Sequence, residues 1–352
     1  MSELRRLAVA RVALPAILLV SLLAVPLAAQ EEPTEDIPAD AREAIDRGTA
    51  WLVLRTNADG GWGCGEPPTP SSSGITGLAL LALSSGGTTP TRGKNHERFD
   101  RAVGYLLRTA DPNSGAIVGE FVTEFNSDFD HACATLGLAV ASGMDPHPAE
   151  DADRIREALE KAVRYLASHQ QADGGWTRYG EGTSDPAVTA MAWLAFRAAD
   201  SVGVPVELSR EPIERYSRRA AVEYGLGGTA GNQTINDLAG WLRIQYGLGR
   251  EDDAEVDKIA RSVAENYLVR ETPQPVSEWD YVAVLLLAQA YQHDRDTYWR
   301  TWFPAMRRYL QSIQNADGSW DIVNCVHCKA LATAMALVAL QAPTRLLPIE
   351  EH

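Results

Sequence analysis

The chain has 352 residues, 45% of them hydrophobic, with 47 acidic against 32 basic side chains and a formal net charge of −15. That acidity repels phosphate, so it argues against nucleic acid and anionic lipid as partners. The length and apolar share allow one large repeat-built domain or two ordinary ones.

Arg5, Arg6 and Arg11 form a basic start, Ala13 to Ala24 is almost wholly apolar, and Leu27-Ala28-Ala29 supplies small residues of the kind a signal peptidase cuts after. The apolar run is shorter than the roughly 20 residues a membrane-spanning helix needs. Residues 1–29 therefore read as a cleaved signal peptide and 30–39 as an acidic linker. The protein is expected to be exported, to the periplasm or the exterior, with no integral membrane domain left after cleavage.

From residue 40 onward two kinds of helix alternate. Charged amphipathic segments are expected at 40–55, 96–109, 152–169, 211–223, 252–269 and 295–314. Small, Ala-rich segments that are apolar on nearly every side follow each of them, at 75–83, 128–142, 185–200, 234–247, 278–292 and 326–341. A helix that is apolar all round is a buried one. The buried segments align without gaps in places: Ile75-Thr76-Gly77-Leu78-Ala79 overlays Val188-Thr189-Ala190-Met191-Ala192 and Ala332-Thr333-Ala334-Met335-Ala336.

Three of the six pairs are joined by close copies of one turn: Asn57-Ala58-Asp59-Gly60-Gly61-Trp62, Gln171-Ala172-Asp173-Gly174-Gly175-Trp176 and Asn315-Ala316-Asp317-Gly318-Ser319-Trp320. Degenerate versions stand at 111–115 and 225–228. An open solenoid would carry its least typical repeats at its ends, as polar caps. Here repeats 1 and 6 match the pattern best. The expectation is an all-α single domain, an (α/α)6 toroid of six helix-pair repeats over 40–342, with a short tail at 343–352. Asp59, Trp62, Asp173, Trp176, Asp317 and Trp320 then have structural work: the glycines turn the chain, the aspartates cap backbone N–H groups, and the tryptophans pack between repeats. Gln170 and Gln314 are placed to bond free carbonyls at the ends of their outer helices.

Outer helix, Gln, Asp-Gly-x-Trp, then an apolar inner helix resembles the QW-type repeat of the terpenoid cyclase and protein prenyltransferase superfamily, over essentially all of 40–341. The resemblance implies the toroid, and a lipophilic, isoprenoid-like ligand in a central funnel. Squalene-hopene-type cyclases carry Asp-x-Asp-Asp-Thr-Ala at the start of an inner helix, where the middle acid protonates an alkene. The nearest stretch here is Asp128-Phe129-Asp130-His131-Ala132-Cys133, which makes Asp128, Asp130 and His131 the catalytic candidates, with the third acid and the Thr replaced. Prenyltransferases hold zinc through an Asp-x-Cys pair and a later His. His327 has the matching spacing, but the pair reads Asp280-Tyr281-Val282. Gly63-Cys64-Gly65-Glu66 looks like the thioester signature of complement-type toroids, but Pro67 stands where the Gln is required.

On a closed ring, Cys64, Cys133, Cys325 and Cys328 gather at the inner-helix starts of the adjacent repeats 1, 2 and 6. Three readings stay open, the plainest being that these are unrelated buried thiols. In an exported chain an even number of cysteines favours disulfides, one of which would lock the ring where its ends meet. Alternatively Cys133, Cys325, His327 and Cys328 have the spacing of zinc ligands. Asp185, Asp237, Trp279 and Asp280 also fall near inner-helix starts, where a funnel would bind a ligand and where Asp also serves as an N-cap.

Three functions compete. The first is a toroid holding a lipophilic ligand. The second is an exported carbohydrate-active enzyme of the same fold, taking a glycan. The third is a non-catalytic interaction scaffold. Cofactor and oligomeric state are left open by the sequence.

Overall fold

The structure is a computed structural model, and it describes residues 37–119, 127–144, 149–178, 182–206, 210–223, 234–266, 278–293, 295–322 and 328–344. The leader and linker expected at 1–36 lie outside these residues.

Twelve α-helices run in strict alternation among the described residues. The odd-numbered ones are amphipathic: α1 (Ala39–Leu54), α3 (His96–Thr109), α5 (Ala149–Ser168), α7 (Arg210–Glu223), α9 (Ala254–Asn266) and α11 (Arg300–Ser312). The even-numbered ones are apolar: α2 (Ser73–Ser85), α4 (Ser127–Ser142), α6 (Pro186–Ser201), α8 (Ile235–Gly247), α10 (Glu278–Tyr291) and α12 (Lys329–Gln341). Every residue of α2 is buried, as is every residue of α12 from Ala330 onward. Each even helix packs on the next even helix, and α12 packs on α2, so the inner wall closes into a ring. The fold is the α/α toroid expected from the repeats.

Small residues set the spacing of that wall. A Cβ on Gly77 of α2 would overlap the Cys133 carbonyl of α4, and one on Gly137 would stand 2.7 Å from Gly77 itself. Contacts climb both helices together, Gly74 with Asp130 and Gly77 with Cys133, so α2 and α4 run parallel.

The three recurrent turns share one geometry. Gly60, Gly174 and Gly318 have φ of 95°, 96° and 94°, a left-handed backbone that a residue with a Cβ adopts only at a cost. Each turn docks on the backbone of the next outer helix. A Cβ at Gly60 would lie 2.5 Å from the Arg101 carbonyl on α3, one at Gly174 would overlap that of Pro212 on α7, and one at Gly318 would lie 2.5 Å from that of Arg47 on α1. The preceding aspartate accepts the N–H two residues on, at 2.9, 2.9 and 3.0 Å in the three copies. Trp62, Trp176 and Trp320 are fully buried, and their indole N–H groups donate to the carbonyls of Leu52, Leu166 and Leu310 on their own outer helices. Their backbone N–H groups donate to the hydroxyls of Thr76, Thr189 and Thr333 on the inner helices. These bonds fasten each turn to its own helix pair. Gln170 and Gln314 likewise donate their amides to the Gly174 and Gly318 carbonyls. The degenerate copy at 111–115 keeps the device, because Gly115 has φ 82° and fits against the Lys161 carbonyl of α5. The copy at 225–228 lies outside the described residues.

The seam between the last repeat and the first is fastened several times. Gln314 accepts from Arg47 at 2.5 Å and donates to the Ala44 carbonyl at 2.9 Å, and Trp51 donates to Asp317 at 3.1 Å. Gln341 of α12 donates to the Ala82 carbonyl of α2 at 2.9 Å. A disulfide joins Cys64 to Cys328 across 264 residues of sequence.

Two details depart from the expectations. Arg295–Trp299 forms a π turn ahead of α11. Pro304 lies inside α11. The first residues of the segment expected as a C-terminal tail are ordered against the ring. Ala342–Thr344 is a 3-10 turn whose Pro343 is buried and whose Thr344 hydroxyl donates to the Ser85 carbonyl at 3.1 Å.

Candidate site at the inner-helix starts

Asp128, Asp185, Asp237 and Asp280 all fall in or beside the first turn of an inner helix, on α4, α6, α8 and α10. The structure sorts them into different jobs.

Asp185 is the N-cap of α6. Its Oδ1 accepts from the N–H groups of Ala187 and Val188 at 2.8 and 3.0 Å, and its Oδ2 takes Arg178 at 2.5 Å. Asp237 is the third residue of α8 and closes a capping box, its Oδ2 accepting from both the backbone and the hydroxyl of Thr234 at 2.8 Å. Burial raises the Asp237 pKa; the Thr234 hydrogen bonds oppose that rise and the nearby charge of Asp185 adds to it. Asp280 is half-buried. The Trp279 side chain lies outside the described residues.

Asp128 and Asp130 do not act as a pair. Two residues apart on an α-helix are separated by about 200° of rotation, so the side chains diverge. Asp130 packs on the first turn of α2, in the space a Cβ at Gly74 would fill. Asp128 meets the end of α5, where its charge acts on Tyr165 and His169. Those two rings lie 4.1 Å apart, four residues along one helix face. Asp128 is 2% exposed, and burial raises its pKa above the ordinary carboxylate range, with His169 pulling the other way.

His131, a catalytic candidate on sequence grounds, is a structural residue. It is fully buried, its Nδ1 accepts the Ile117 N–H at 3.0 Å, and its Nε2 lies 2.9 Å from the Ala162 carbonyl. Nδ1 accepts, so Nε2 carries the proton and donates. The bond from Ile117 repeats the one that the tryptophan N–H groups make to Thr76, Thr189 and Thr333. His131 is thus the threonine position of the repeat in another residue. Burial holds its pKa down at about 4, leaving it neutral and fully engaged.

The zinc reading does not survive. Cys328 is committed to the bond with Cys64 and has no thiolate to offer. Cys133 is sealed inside α4, and burial pushes its thiol pKa well up. Cys325 and His327 lie outside the described residues. Among the described residues no three or more His, Cys, Asp or Glu side chains form a group that could hold a metal ion. The donor set does not fit a prenyltransferase-type zinc, and no step runs through one. The Cys64 disulfide also rules out a thioester, and Glu66 pairs with Arg55 at 2.7 Å.

Sequence reasoning missed Arg178, Tyr165, His169 and Thr234. The 165/169 spacing on one helix face was the available signal for two of them.

A closed ring of six helix pairs defines an α/α toroid, and part of the chain is similar in sequence to terpene cyclases. The chain is 32% identical over 158 residues to a drimenyl diphosphate synthase of Streptomyces showdoensis, a stretch covering 45% of this chain and 27% of that protein. It is 29% identical over 173 residues to a drimenyl diphosphate synthase of Streptantibioticus cattleyicolor, covering 49% and 30%. It is 30% identical over 135 residues to an ent-copalyl diphosphate synthase of a Streptomyces species, covering 37% and 23%. The matches therefore span less than a third of each relative's length. No protein-family model matches the chain. Among solved structures, a protein from Actinoplanes superposes with a TM-score of 0.55 at 14% identity, over 86% of this chain and 99% of that one. An alpha-amylase from Clostridium perfringens does so at 0.57 and 12%, over 87% and 99%. At such identities these two share the fold and nothing more is drawn from them. Among the described residues no helix is long and apolar enough to cross a membrane.

Proposed function

We propose that the protein is an exported, isoprenoid-binding toroid whose ligand sits at the inner-helix starts, with Asp128 as the proton-bearing group. Export rests on the basic start, apolar run and small-residue site within residues 1–29. The ligand class rests on the relatives, whose names are those of isoprenoid diphosphate synthases.

One observation carries the site: the Asp128 carboxyl is withdrawn from water, its pKa is raised by burial, and it stands by the rings of Tyr165 and His169. Giving a proton to an alkene requires a neutral carboxylic acid in dry surroundings, and burial shifts Asp128 in the direction of that form. The transfer breaks the Asp128 O–H bond, forms a C–H bond at one alkene carbon and leaves a cation at the other.

The test uses the secreted protein with farnesyl diphosphate, geranylgeranyl diphosphate and squalene in turn. Binding is followed by tryptophan fluorescence and products by gas chromatography–mass spectrometry. Wild type is expected to bind at least one of the three and to isomerise or cyclise it. Asp128→Asn is expected to keep the binding and lose the product. If none of the three binds, the isoprenoid reading is wrong; product formation that persists in Asp128→Asn removes the role assigned to that residue.

A further inference from the structure

A cavity on the outside of the ring has no part in the site above. It lies between α7 and α9, over the outer face of α8, and has a volume of about 310 Å³. That is near the lower end of ligand pockets, which run from about 300 to 1,000 Å³. Ser217 of α7 and Trp241 and Gln245 of α8 line it, each almost completely buried. Asp237 begins the same helix eight residues before Gln245, about 12 Å along its axis. The cavity and the acid-lined inner-helix starts are therefore separate places.

Its floor carries an incomplete hydrogen-bond set. The Gln245 amide nitrogen donates to the Ser217 hydroxyl at 2.5 Å, and the Trp241 indole N–H donates to the Ser217 carbonyl at 3.0 Å. The amide oxygen of Gln245 is buried and has no hydrogen-bond partner among the described residues, in a side chain only 3% exposed. Turning the amide over leaves the same shortfall, because one end meets Ser217 and the other is left over. A buried amide end without a partner costs about 1–3 kcal/mol. A ligand hydroxyl would remove that cost.

The walls define the rest of the ligand. Val256 and Ala221 give an apolar side, and Val222 at the lip is 82% exposed. At the rim, Arg218 and Arg250 share the carboxylate of Glu214 at 3.8 and 3.5 Å with Arg210, which is nearer at 3.1 Å, and Asp253 and Glu255 stand opposite on the α9 side. Small size, an apolar wall, a buried amide and both signs of charge suit one molecule type. It has an apolar C–H face and several hydroxyls that both donate and accept.

We propose that this cavity binds a single pyranose ring, as a free monosaccharide or as one residue of a glycan. The ring's C–H face lies along Val222 and Val256, one hydroxyl donates to the Gln245 amide, and the others reach the rim charges.

Saturation-transfer NMR on the secreted protein tests this, with D-glucose, D-galactose and N-acetyl-D-glucosamine each titrated to 50 mM, roughly the range in which a small polar ligand with few contacts binds. At least one sugar is expected to receive saturation. Gln245→Leu is expected to weaken that sugar tenfold or more. Val222→Trp fills the cavity from an exposed position that carries no folding burden, and is expected to abolish the signal. Asp128→Asn, at the other site, is expected to leave it unchanged, so failure here and failure of the isoprenoid reading are told apart. No transfer to any of the three sugars overturns the proposal, and so does transfer that both Gln245→Leu and Val222→Trp leave intact.

Discussion

Replacing Cys64 and Cys328 together with serine should loosen the protein by an amount that can be worked from its connectivity. The bond closes a loop spanning 264 residues of sequence. Chain-entropy reasoning assigns about 4.7 kcal/mol to a 100-residue loop, and each doubling adds about 0.6 kcal/mol. The expected loss is therefore about 5.5 kcal/mol. For a domain of about 300 residues the unfolding entropy is about 0.6 kcal/mol per degree, so Tm should fall by about 9 °C. The folded ring itself should not open, because the bonds of Gln314 with Arg47 and Ala44, of Trp51 with Asp317, and of Gln341 with Ala82 still hold the seam. Differential scanning calorimetry of wild type and double variant reads the shift, and far-UV circular dichroism at 25 °C should be superimposable. A Tm change under about 2 °C would refute the reasoning that the bond restrains the unfolded chain. A peptide map that finds Cys64 joined to Cys325 would refute the pairing itself.

Gly174→Ala should cost about 3 kcal/mol in a urea titration, combining about 1–2 kcal/mol for a left-handed non-glycine residue with the overlap on the Pro212 carbonyl. Gly203→Ala is the control: its φ is 76° but no atom stands within 4 Å of the added Cβ, so only the backbone cost of about 1 kcal/mol should appear. His131 has a folded pKa of about 4, below the 6.5 of the free side chain, so the unfolded chain takes up the proton first. Its contribution is complete above pH 6.5 and is lost as pH falls toward 4, about 3 kcal/mol in all. His131→Thr, which introduces the residue found in repeats 1, 3 and 6, should remove that slope from urea titrations run across this range. Asp128 has the opposite sign, with a folded pKa raised by burial, so Asp128→Asn should be more stable than wild type at pH 7 whatever it does to activity.

The twelve helices were legible because charged and apolar segments alternate without exception, and each observed helix starts and stops within a few residues of its expected range. Ring closure was legible from the quality of repeats 1 and 6, since a chain whose ends meet needs no polar caps. The cysteine pairing was not. Cys325 and Cys328 sit three residues apart, and only the placement of Cys328 at the start of α12, across the seam from the turn holding Cys64, separates them. His131 became a catalytic candidate through the likeness of its stretch to a cyclase motif, which hid its place in the repeat. Its true counterparts are Thr76, Thr189 and Thr333, and the signal was its place in the repeat, 14 residues beyond Ile117 as Thr76 is beyond Trp62.

Counting acids at the inner-helix starts overstates the chemistry available there. A glycan-cleaving site would need two carboxylates free to divide acid and base roles. Asp185 and Asp237 are the neighbouring pair, but Asp185 has one oxygen on the α6 backbone and the other on Arg178, and Asp237 is bound twice by Thr234. Removing either from its cap would cost about 1 kcal/mol or more before any substrate arrived. Asp130 is wedged against Gly74, on the far side of α4 from Asp128. Of the remaining acids, Asp280 is half-buried, and the carboxyl of Asp128 is set apart by deep burial, a raised pKa and two aromatic neighbours. A lone buried acid suits single proton donation to an apolar substrate better than paired acid–base hydrolysis, and this is why the isoprenoid reading is preferred to the glycan one at this end of the ring.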